Sequence, residues 1–252
     1  MKKQLTYITI LIFLNSCAFK KDVIYFNNPV DIISKSTTYT PTLKIDDLLT
    51  ISVMGGDEIT MKLFNLPTPA TIGQRSYTMG APAQSGYLID NNGEIEFPII
   101  RKVKVDGLTR NEAIKILYEK ISQYIKDPII QLQIQNFKVT ILGEVRNAGT
   151  FNIPNERITV LEAIGLAGDL TIYGKRKNIL VLREENGAKK GYRIDLTNSD
   201  FLDSPVYYLN QNDVVYVEPN KSKITSSAVN PSIGVFISIT SLIVTTINVL
   251  TK

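Results

Sequence analysis

The sequence predicts an α+β protein: two small mixed domains followed by a helix that crosses a membrane. Short runs in which apolar and polar residues alternate, as in half-buried strands, recur along the chain and predict sheets. A pattern that joins a strand to the start of a helix occurs twice, which predicts helices between those strands. An uncharged segment near the C terminus, residues 232–250, is about as long as a membrane-spanning helix.

The repeated pattern is the most informative local feature of the sequence. Residues 93–98 and 149–154 both read G-x-Φ-x-Φ-P, where Φ is an apolar residue, and T-x-x-E-A follows each run. A threonine and a glutamate three positions later have the spacing of a capping box, in which each side chain binds the other residue's backbone amide. We therefore expect helices to begin at Thr109 and Thr159, in two related units. The alternative is that an α+β chain repeats a strand exit and a capped helix by chance.

The first half of the chain is predicted to contain strands and one long helix. Alternating apolar residues predict strands at residues 49–53, 87–90, 94–97 and 129–135. Residues 91–93 read Asn-Asn-Gly and tolerate positive φ, so the second and third of these strands are expected to pair as a hairpin. The helix from Thr109 is expected to extend to about Tyr124, since its apolar residues keep helical spacing. Residues 57–85 contain Pro, Gly, Thr and Ser and predict an excursion or a mobile loop.

The second half is predicted to begin with two strands and a helix. The strands are expected at residues 139–142 and 150–153, with Gly149 taking positive φ in the turn between them. The helix that begins at Thr159 is expected to stop at Gly168, since glycine favours the left-handed conformation that ends many helices. Further strands are expected at residues 179–183, 191–194 and 213–217.

The composition excludes several classes of function. Histidine is absent, which removes the commonest general base and the commonest ligand of transition metals. The single cysteine, Cys17, can form neither an intrachain disulfide nor a thiolate metal cluster. If Lys2 and Lys3 are removed with a leader, the 28 basic residues fall to 26 against 24 acidic ones, and this balance predicts no nucleic-acid partner. No catalytic, cofactor-binding or metal-binding residues are assigned.

The first residues have the organisation of a bacterial lipoprotein signal peptide. Two lysines form a positive region, residues 5–14 are apolar, and Leu-Asn-Ser-Cys at residues 14–17 resembles a lipobox. Cleavage there would remove residues 1–16 and leave Cys17 as a diacylated N terminus. We therefore expect a lipid-anchored protein outside the cytoplasm. An ordinary signal peptide with an unrelated thiol, or a short membrane anchor, is the alternative.

The uncharged segment at residues 232–250 carries its polar residues in a regular order. Gaps of four, three, four and three residues place them on one face of a helix: Gly234, Ser238, Ser241, Thr245 and Asn248. Small polar residues let membrane helices pack closely, and a polar face also suits a water-filled lumen in a ring of helices. The sequence leaves both interpretations open, together with simple anchoring.

Several motifs, taken in order, resemble one known family. D-x-L-x-I-x-V at residues 47–53 is similar to the first strand of an export domain, and residues 93–113 resemble the central signature of that domain. G-E-V-x-x-x-G at residues 143–149, followed by Ala-Gly, resembles a soluble-ligand-binding β-grasp (SLBB) domain. With the lipobox in front, the chain resembles the outer-membrane polysaccharide export family. It departs from the family where glycine or proline is usual, at Lys44, Asp46, Arg101 and Ala148.

The resemblance implies an organisation and a role for the chain. The implied parts are a signal peptide (1–16), a tether (17–41), a polysaccharide-export domain (42–136), one SLBB-like domain (137–219), a linker (220–231) and the transmembrane helix (232–250). The implied role is export of a capsular or extracellular polysaccharide through a homo-oligomeric ring in the outer membrane. The folded domains would lie in the periplasm. The implied partner is an inner-membrane polysaccharide co-polymerase, a chain-length regulator of the tyrosine-kinase type.

Two other functions remain open at this point. A glycoside-cleaving enzyme needs two carboxylates held at a fixed distance, and adjacent acidic pairs occur at residues 46–47, 57–58 and 184–185. Neighbours along a strand point to opposite faces, so we expect these pairs to be solvated charge. A non-transporting glycan-binding or scaffolding lipoprotein of the cell envelope is the second alternative. Lys-Arg-Lys at residues 175–177 is expected to form a solvated turn, with anion binding as its alternative.

Overall fold

The computed structural model describes residues 20–27, 39–65, 86–185, 187–228, 238–239, 241–243 and 245–246. The helices in this part of the chain are α1 (Glu58–Phe64), α2 (Arg110–Ile121), α3 (Val160–Leu166) and α4 (Lys221–Ala228). The strands are β1 (Leu48–Met54), β2 (Tyr87–Leu88), β3 (Glu94–Phe97), β4 (Arg101–Lys104), β5 (Ile129–Ile134), β6 (Lys138–Gly143), β7 (Gly149–Asn152), β8 (Ile158–Thr159), β9 (Gly174–Glu185), β10 (Ala188–Ile194), β11 (Tyr208–Leu209) and β12 (Val214–Pro219). Short 3-10 helices cover Lys20–Asp22 and Ser199–Asp203.

The buried apolar side chains form two clusters, which confirms the predicted α+β class. One cluster lies among β1 to β5 with α1 and α2, and we call these elements the first unit. The other lies among β6 to β12 with α3, and we call these elements the second unit. Ile134, at the end of β5, packs against both clusters. The predicted domain boundaries remain predictions.

The first unit contains a three-stranded antiparallel sheet covered by α2, and β3 and β4 form a separate two-stranded sheet. The three-stranded sheet has the strand order β2-β1-β5, and β1 pairs with β5 in the register that sets Leu49 opposite Ile134. Buried residues alternate with partly exposed ones along β1, as the sequence pattern predicts. The inner face of α2 adds three buried residues to the same core, Ala113, Leu117 and Ile121.

The prediction of a loop over residues 57–85 is wrong for its first part, because α1 forms there. The Asp57 carboxylate accepts two backbone amides of the first turn, at 3.0 and 2.9 Å, and so caps the helix. Phe64 is buried in the first core. The Asn65 side chain accepts the Val53 amide at 2.8 Å and donates to the Val53 carbonyl at 2.9 Å, which fixes the end of α1 to β1. The remainder, residues 66–85, lies outside the described residues.

The hairpin predicted between residues 87–90 and 94–97 is also wrong. β2 pairs with β1 instead, and β3 pairs with β4. The Asp90 carboxylate accepts two amides of the intervening turn, both at 2.9 Å. Two backbone hydrogen bonds, at 2.9 and 2.7 Å, close the same turn without a strand ladder beyond it. Between β3 and β4 the chain reverses through Ile99 and Arg101, whose φ angles are 65° and 58°. Arg101 thus has the left-handed conformation that glycine favours, at a position where the related family usually has glycine.

The second unit is a five-stranded mixed sheet with strand order β10-β9-β12-β6-β7. β12 and β6 are parallel, and the other neighbours are antiparallel. The strands predicted for this half of the chain are confirmed, and β9 with β10 forms a longer hairpin than predicted. α3 contributes three buried residues to the core beneath the sheet, Val160, Ala163 and Ile164.

Both predicted capping boxes are present. The Thr109 side chain accepts the Glu112 amide while the Glu112 carboxylate accepts the Thr109 amide, and Thr159 with Glu162 repeats this arrangement at α3. α2 ends at Ile121, about one turn earlier than predicted. The two helix starts follow from local sequence, as the pattern indicates.

Glycine conformations agree with the prediction at one position and differ at another. α3 ends as predicted, with Gly168 at a φ of 77°. Gly149 does not have positive φ, so that prediction is wrong, whereas Gly143 has a φ of 92°. A Cβ at Gly143 would lie 2.0 Å from the Val217 carbonyl oxygen, so the parallel strands β6 and β12 approach too closely there for any other residue.

Residues 20–27, within the predicted tether, pack against the second unit. The amides of Phe26 and Asn27 donate to two carbonyls just after β10, at 3.2 and 2.7 Å. The Tyr25 hydroxyl donates to the Asp169 carboxylate. Burial and the neighbouring carboxylate raise the pKa of Tyr25, so its hydroxyl keeps its proton and remains a donor. The first described residues are therefore anchored to the second unit and not to the first.

The solvated turn predicted at residues 175–177 is wrong, because these residues belong to β9. The Arg176 side chain is only 5% exposed, and its guanidinium donates to the Gly174 carbonyl at 3.2 Å. Lys175 pairs with Glu218 at 3.1 Å, and Lys177 pairs with Asp22 at 2.6 Å. All three cations thus have partners within the fold.

The predicted transmembrane helix at residues 232–250 is wrong. In the described part of the chain, no helix is both long and apolar enough to cross a membrane. Serine, threonine and β-branched residues, which fill this segment, have low helix propensity. The predicted linker before it contains α4.

Candidate functional site

The two units meet along a seam that residues 39–47 cross. Tyr39 stacks on Tyr208 of the second unit, with ring centroids 4.7 Å apart, whereas Leu43 is buried in the core of the first unit. The Leu43 amide donates to the Leu108 carbonyl at 2.8 Å. We use the term seam for residues 39–47 and the surfaces of both units that face them.

Side chains of both units connect across the seam. Asn136 binds two backbone groups of the first unit, at 2.9 and 2.8 Å. Gln211 of the second unit donates to the Asn136 carbonyl in the junction between β5 and β6 at 2.8 Å, and accepts the Lys138 amide at the start of β6 at 2.7 Å. Arg110 and Glu156 form an exposed ion pair at 2.5 Å, which adds little stability because water screens it. The amide contacts, which involve backbone groups, do most to fix the two units relative to each other.

A buried ion pair supports the wall of the seam in the second unit. Arg183 and Asp213 are 5% and 1% exposed and approach to 2.7 Å. The guanidinium also donates to the carbonyls of Pro205 and Tyr208, at 3.1 and 2.7 Å, and the carboxylate accepts the Asn210 amide at 2.8 Å. Since both charges have matched hydrogen bonds, the pair fixes this loop, and with it Tyr208, against β9 and β12.

Asp47 is a buried carboxyl group at the first unit's side of the seam. Its side chain is 1% exposed, and Oδ2 accepts the Lys44 amide at 2.8 Å. Oδ1 has no hydrogen-bond partner among the described residues. Asp47 lines a cavity of about 20 Å³ together with Tyr39, Lys44 and Asn210, which is room for one water molecule. Burial raises the pKa of Asp47 to about 6, although the Lys44 amide and ammonium group lower it.

Two wider cavities adjoin this small one, since each shares lining residues with it. The tyrosine cavity, of about 520 Å³, has among its lining residues Tyr39, Asn155, Arg157 and Tyr208. The acidic cavity, of about 680 Å³, has among its lining residues Lys44, Asp46, Asp106, Glu184 and Glu185. Both volumes fall within the range of small-molecule sites, about 300–1,000 Å³. No group of three His, Cys, Asp or Glu side chains in the described residues has the arrangement of a metal site.

The adjacent acidic residues do not form the paired carboxylates that a glycoside-cleaving enzyme needs. Asp47 is buried while its neighbour Asp46 is exposed, and Asp57 caps α1. The Glu185 carboxylate accepts the Tyr192 hydroxyl at 3.0 and 2.9 Å. Neighbouring carboxylates thus have different environments, as expected for residues that point to opposite sides of the chain.

The site residues predicted from the sequence lie away from the seam or outside the described residues. Cys17, Gly234 and Asn248 are outside the described residues. Ser238, Ser241 and Thr245 are described as helical and exposed. The Ser241 and Thr245 hydroxyls donate to backbone carbonyls of the preceding turn, at 3.0 and 2.7 Å. Their role remains a prediction.

The seam residues are those that sequence reasoning missed. Tyr39 and Asn210, whose side chains are hydrogen-bonded, are 171 positions apart, so no local pattern joins them. Asp47 belongs to a recognised strand motif, but its burial at the junction has no sequence signal. The one available clue is a pair of aromatic residues, Tyr207 and Tyr208, five positions before the acidic residue Asp213 that precedes β12.

Comparison with known proteins identifies both parts of the fold. Residues 35–135 match the polysaccharide biosynthesis/export protein family, and residues 137–217 match the SLBB domain. The chain therefore belongs to the class of proteins in which an export domain is followed by an SLBB domain. The chain belongs to the outer-membrane polysaccharide export family.

Two relatives are similar to this chain over most of its length. The EPS I polysaccharide export outer membrane protein EpsA of Ralstonia nicotianae is 27% identical over 208 residues, covering 80% of this chain and 53% of that protein. The protein of the same name from Ralstonia solanacearum is 25% identical over 208 residues, covering 80% of this chain and 54% of that protein. The chain thus spans about half the length of these relatives.

Proposed function

We propose that this protein exports an extracellular or capsular polysaccharide across the outer membrane, as one subunit of a homo-oligomeric ring. The observation that carries the proposal is the succession of an export domain and an SLBB domain in one chain. The names of the two relatives, both polysaccharide export outer membrane proteins, support it. The matched family is an export family and not an enzyme family, so the proposed role is transport without chemical change to the polymer.

The proposed attachment to the membrane is through Cys17. The lipobox-like sequence before Cys17 supports this attachment. Residues 20–27, which follow it closely, pack on the second unit. Two residues separate Cys17 from Lys20, and the three Cα–Cα steps between them reach about 10 Å at most. The second unit would therefore lie next to the periplasmic face of the outer membrane, with the first unit further into the periplasm. The first unit is then the part placed to meet an inner-membrane co-polymerase of the tyrosine-kinase type.

A deletion strain tests the export function. Without the gene, surface polysaccharide is expected to fall to background, and wild-type protein supplied in trans should restore it. Protein extracted in mild detergent should appear as closed rings by electron microscopy. Unchanged surface polysaccharide in the deletion strain, or a monomeric protein, would favour a scaffolding or glycan-binding role instead.

Cys17→Ser tests the lipid anchor separately. The variant should remain as an unprocessed precursor, because the signal peptidase for lipoproteins acts at an acylated cysteine, and a fatty-acid probe should not label it. The matched control is the wild-type protein expressed at the same level, which should be labelled. Normal labelling of the serine variant would contradict the proposed anchor.

A further inference from the structure

The tyrosine cavity has a rigid aromatic wall. The Tyr39 and Tyr208 rings are stacked with their planes 15° apart, and Tyr207 packs edge-on against Tyr208 with centroids 5.0 Å apart. The Tyr39 hydroxyl is hydrogen-bonded to the Asn210 side chain. The Arg183–Asp213 pair fixes the loop that carries Tyr208. This wall is therefore formed before any ligand arrives.

Arg157 is the one cationic side chain that lines this cavity, and it has no partner of opposite charge in the described structure. Its guanidinium carbon lies 5.6 Å from the centroid of the Tyr208 ring, so the cation rests on the aromatic wall. The two carboxylates of the cavity are already engaged. Glu156 pairs with Arg110, and Glu162 accepts the amide and the hydroxyl of Thr159 at 2.7 and 2.8 Å.

These groups together suit an acidic sugar. Tyrosine rings offer apolar surface to the C–H faces of a sugar, and the exposed amide of Asn155 is available to its hydroxyl groups. A guanidinium group binds a carboxylate through two parallel hydrogen bonds, which a neutral sugar cannot accept in the same way. Resting on the proposed function, we propose that the tyrosine cavity binds a carboxylate-bearing sugar residue, such as a uronate, of the exported polysaccharide.

The charge of the neighbouring cavity favours this location over the rest of the seam. The acidic cavity is lined by four carboxylate residues against one lysine, so it repels an anionic sugar. The tyrosine cavity has only two carboxylates, both already engaged, beside Arg157, so it repels an anionic ligand less than the acidic cavity does. Binding at the seam should therefore be confined to the side of Tyr39 and Tyr208.

The test uses the full-length protein in detergent and two oligosaccharides that differ only in charge. The probe is a hyaluronan hexasaccharide, in which glucuronate alternates with a neutral sugar, and the control is its carboxyl-reduced form. The hexasaccharide is expected to bind at least ten times more tightly than the reduced form by calorimetry. Arg157→Ala should weaken binding of the hexasaccharide at least tenfold, and Arg157→Lys should weaken it less, since lysine keeps the charge without the paired donors.

Arg146→Ala is the matched control variant, because Arg146 is an exposed arginine of the same unit that does not line the cavity. It should bind the hexasaccharide like the wild type. Equal affinity for the two oligosaccharides, or equal losses in the two alanine variants, would overturn the proposal. A thermal melt of Arg157→Ala close to that of the wild type shows that the variant is folded.

Failure of this proposal is distinguishable from failure of the proposed function. If the deletion strain loses surface polysaccharide but the purified protein does not prefer the acidic hexasaccharide, export stands and the cavity assignment is wrong. If binding depends on Arg157 but the deletion strain still exports polymer, the site stands as a sugar site and the export function is wrong.

Discussion

Asp47→Asn should remove a pH dependence of stability that originates at the seam. Burial raises the pKa of Asp47 from 3.8 to about 6. Because the pKa is higher in the folded than in the unfolded protein, the folded state is favoured by this group below pH 4, and that advantage is lost as the pH rises through about 6. Each unit of difference between the folded and unfolded pKa changes the free energy of unfolding by about 1.4 kcal/mol. The rise from 3.8 to about 6 therefore corresponds to about 3 kcal/mol. At neutral pH the wild type should therefore be less stable than the asparagine variant.

The assay is unfolding in urea at several pH values between 4 and 8, with the wild type and the variant measured side by side. Asparagine has nearly the shape of a protonated aspartate and keeps an oxygen for the Lys44 amide. The two proteins should therefore have similar free energies of unfolding at pH 4. The variant should become more stable than the wild type by up to about 3 kcal/mol above pH 6. The sequence contains no histidine, so no histidine titration overlaps this range.

Asp46→Asn is the matched control. Asp46 is the adjacent aspartate and is exposed, and its charge is the smallest of the named causes of the raised pKa of Asp47. This variant should therefore keep most of the pH dependence of the wild type. The reasoning is refuted if the difference between wild type and Asp47→Asn does not change with pH. It is also refuted if Asp46→Asn changes the pH dependence as much as Asp47→Asn does.

Three further substitutions test the local structure. Arg101→Gly should raise the free energy of unfolding by about 0.5–1 kcal/mol, because glycine adopts a φ of 58° without a Cβ conflict; lower stability in urea would contradict the left-handed backbone. Thr159→Ala removes the N-cap of α3 and should cost about 0.5–2 kcal/mol, measured as a lower melting temperature. An unchanged melt would mean that this cap does not support the helix. Arg183→Met should cost about 3–5 kcal/mol in a denaturant titration, since it leaves the Asp213 carboxylate buried without its partner. Adding Asp213→Leu should recover most of that loss, and no recovery would show that the guanidinium acts through packing alone.

The elements that the sequence predicted well are those whose causes lie within a few residues. Thr159 and Glu162 satisfy each other's amides three positions apart, so the start of α3 needs no distant partner. The alternation along β1 reflects burial of one face of a strand, whatever lies on the other side of it. Gly168 ends α3 because the left-handed conformation there is a local requirement.

The predictions that were wrong concern which strands pair, what surrounds a charged side chain, and whether a helix crosses the membrane. Whether β2 pairs with β3 or with β1 depends on which strand buries more apolar surface beside it, and turn residues do not encode that choice. Arg176 has the composition of a solvated turn but lies buried within β9, because Tyr25 and backbone carbonyls surround it. The transmembrane helix predicted at residues 232–250 rested on apolar composition, and hydropathy and helix propensity are separate properties.

By itself, the sequence determined the α+β class, both capping boxes, the family and the absence of histidine chemistry, because local spacing and composition carry this information. Only the tertiary structure decided that Asp47, Tyr39 and Arg157 line neighbouring cavities on one seam. Tyr39 and its partner Asn210 are separated by 171 positions. Their contact depends on how the two units pack against each other. Side chains at such a junction follow neither the helical nor the strand periodicity, so no sequence pattern predicts them.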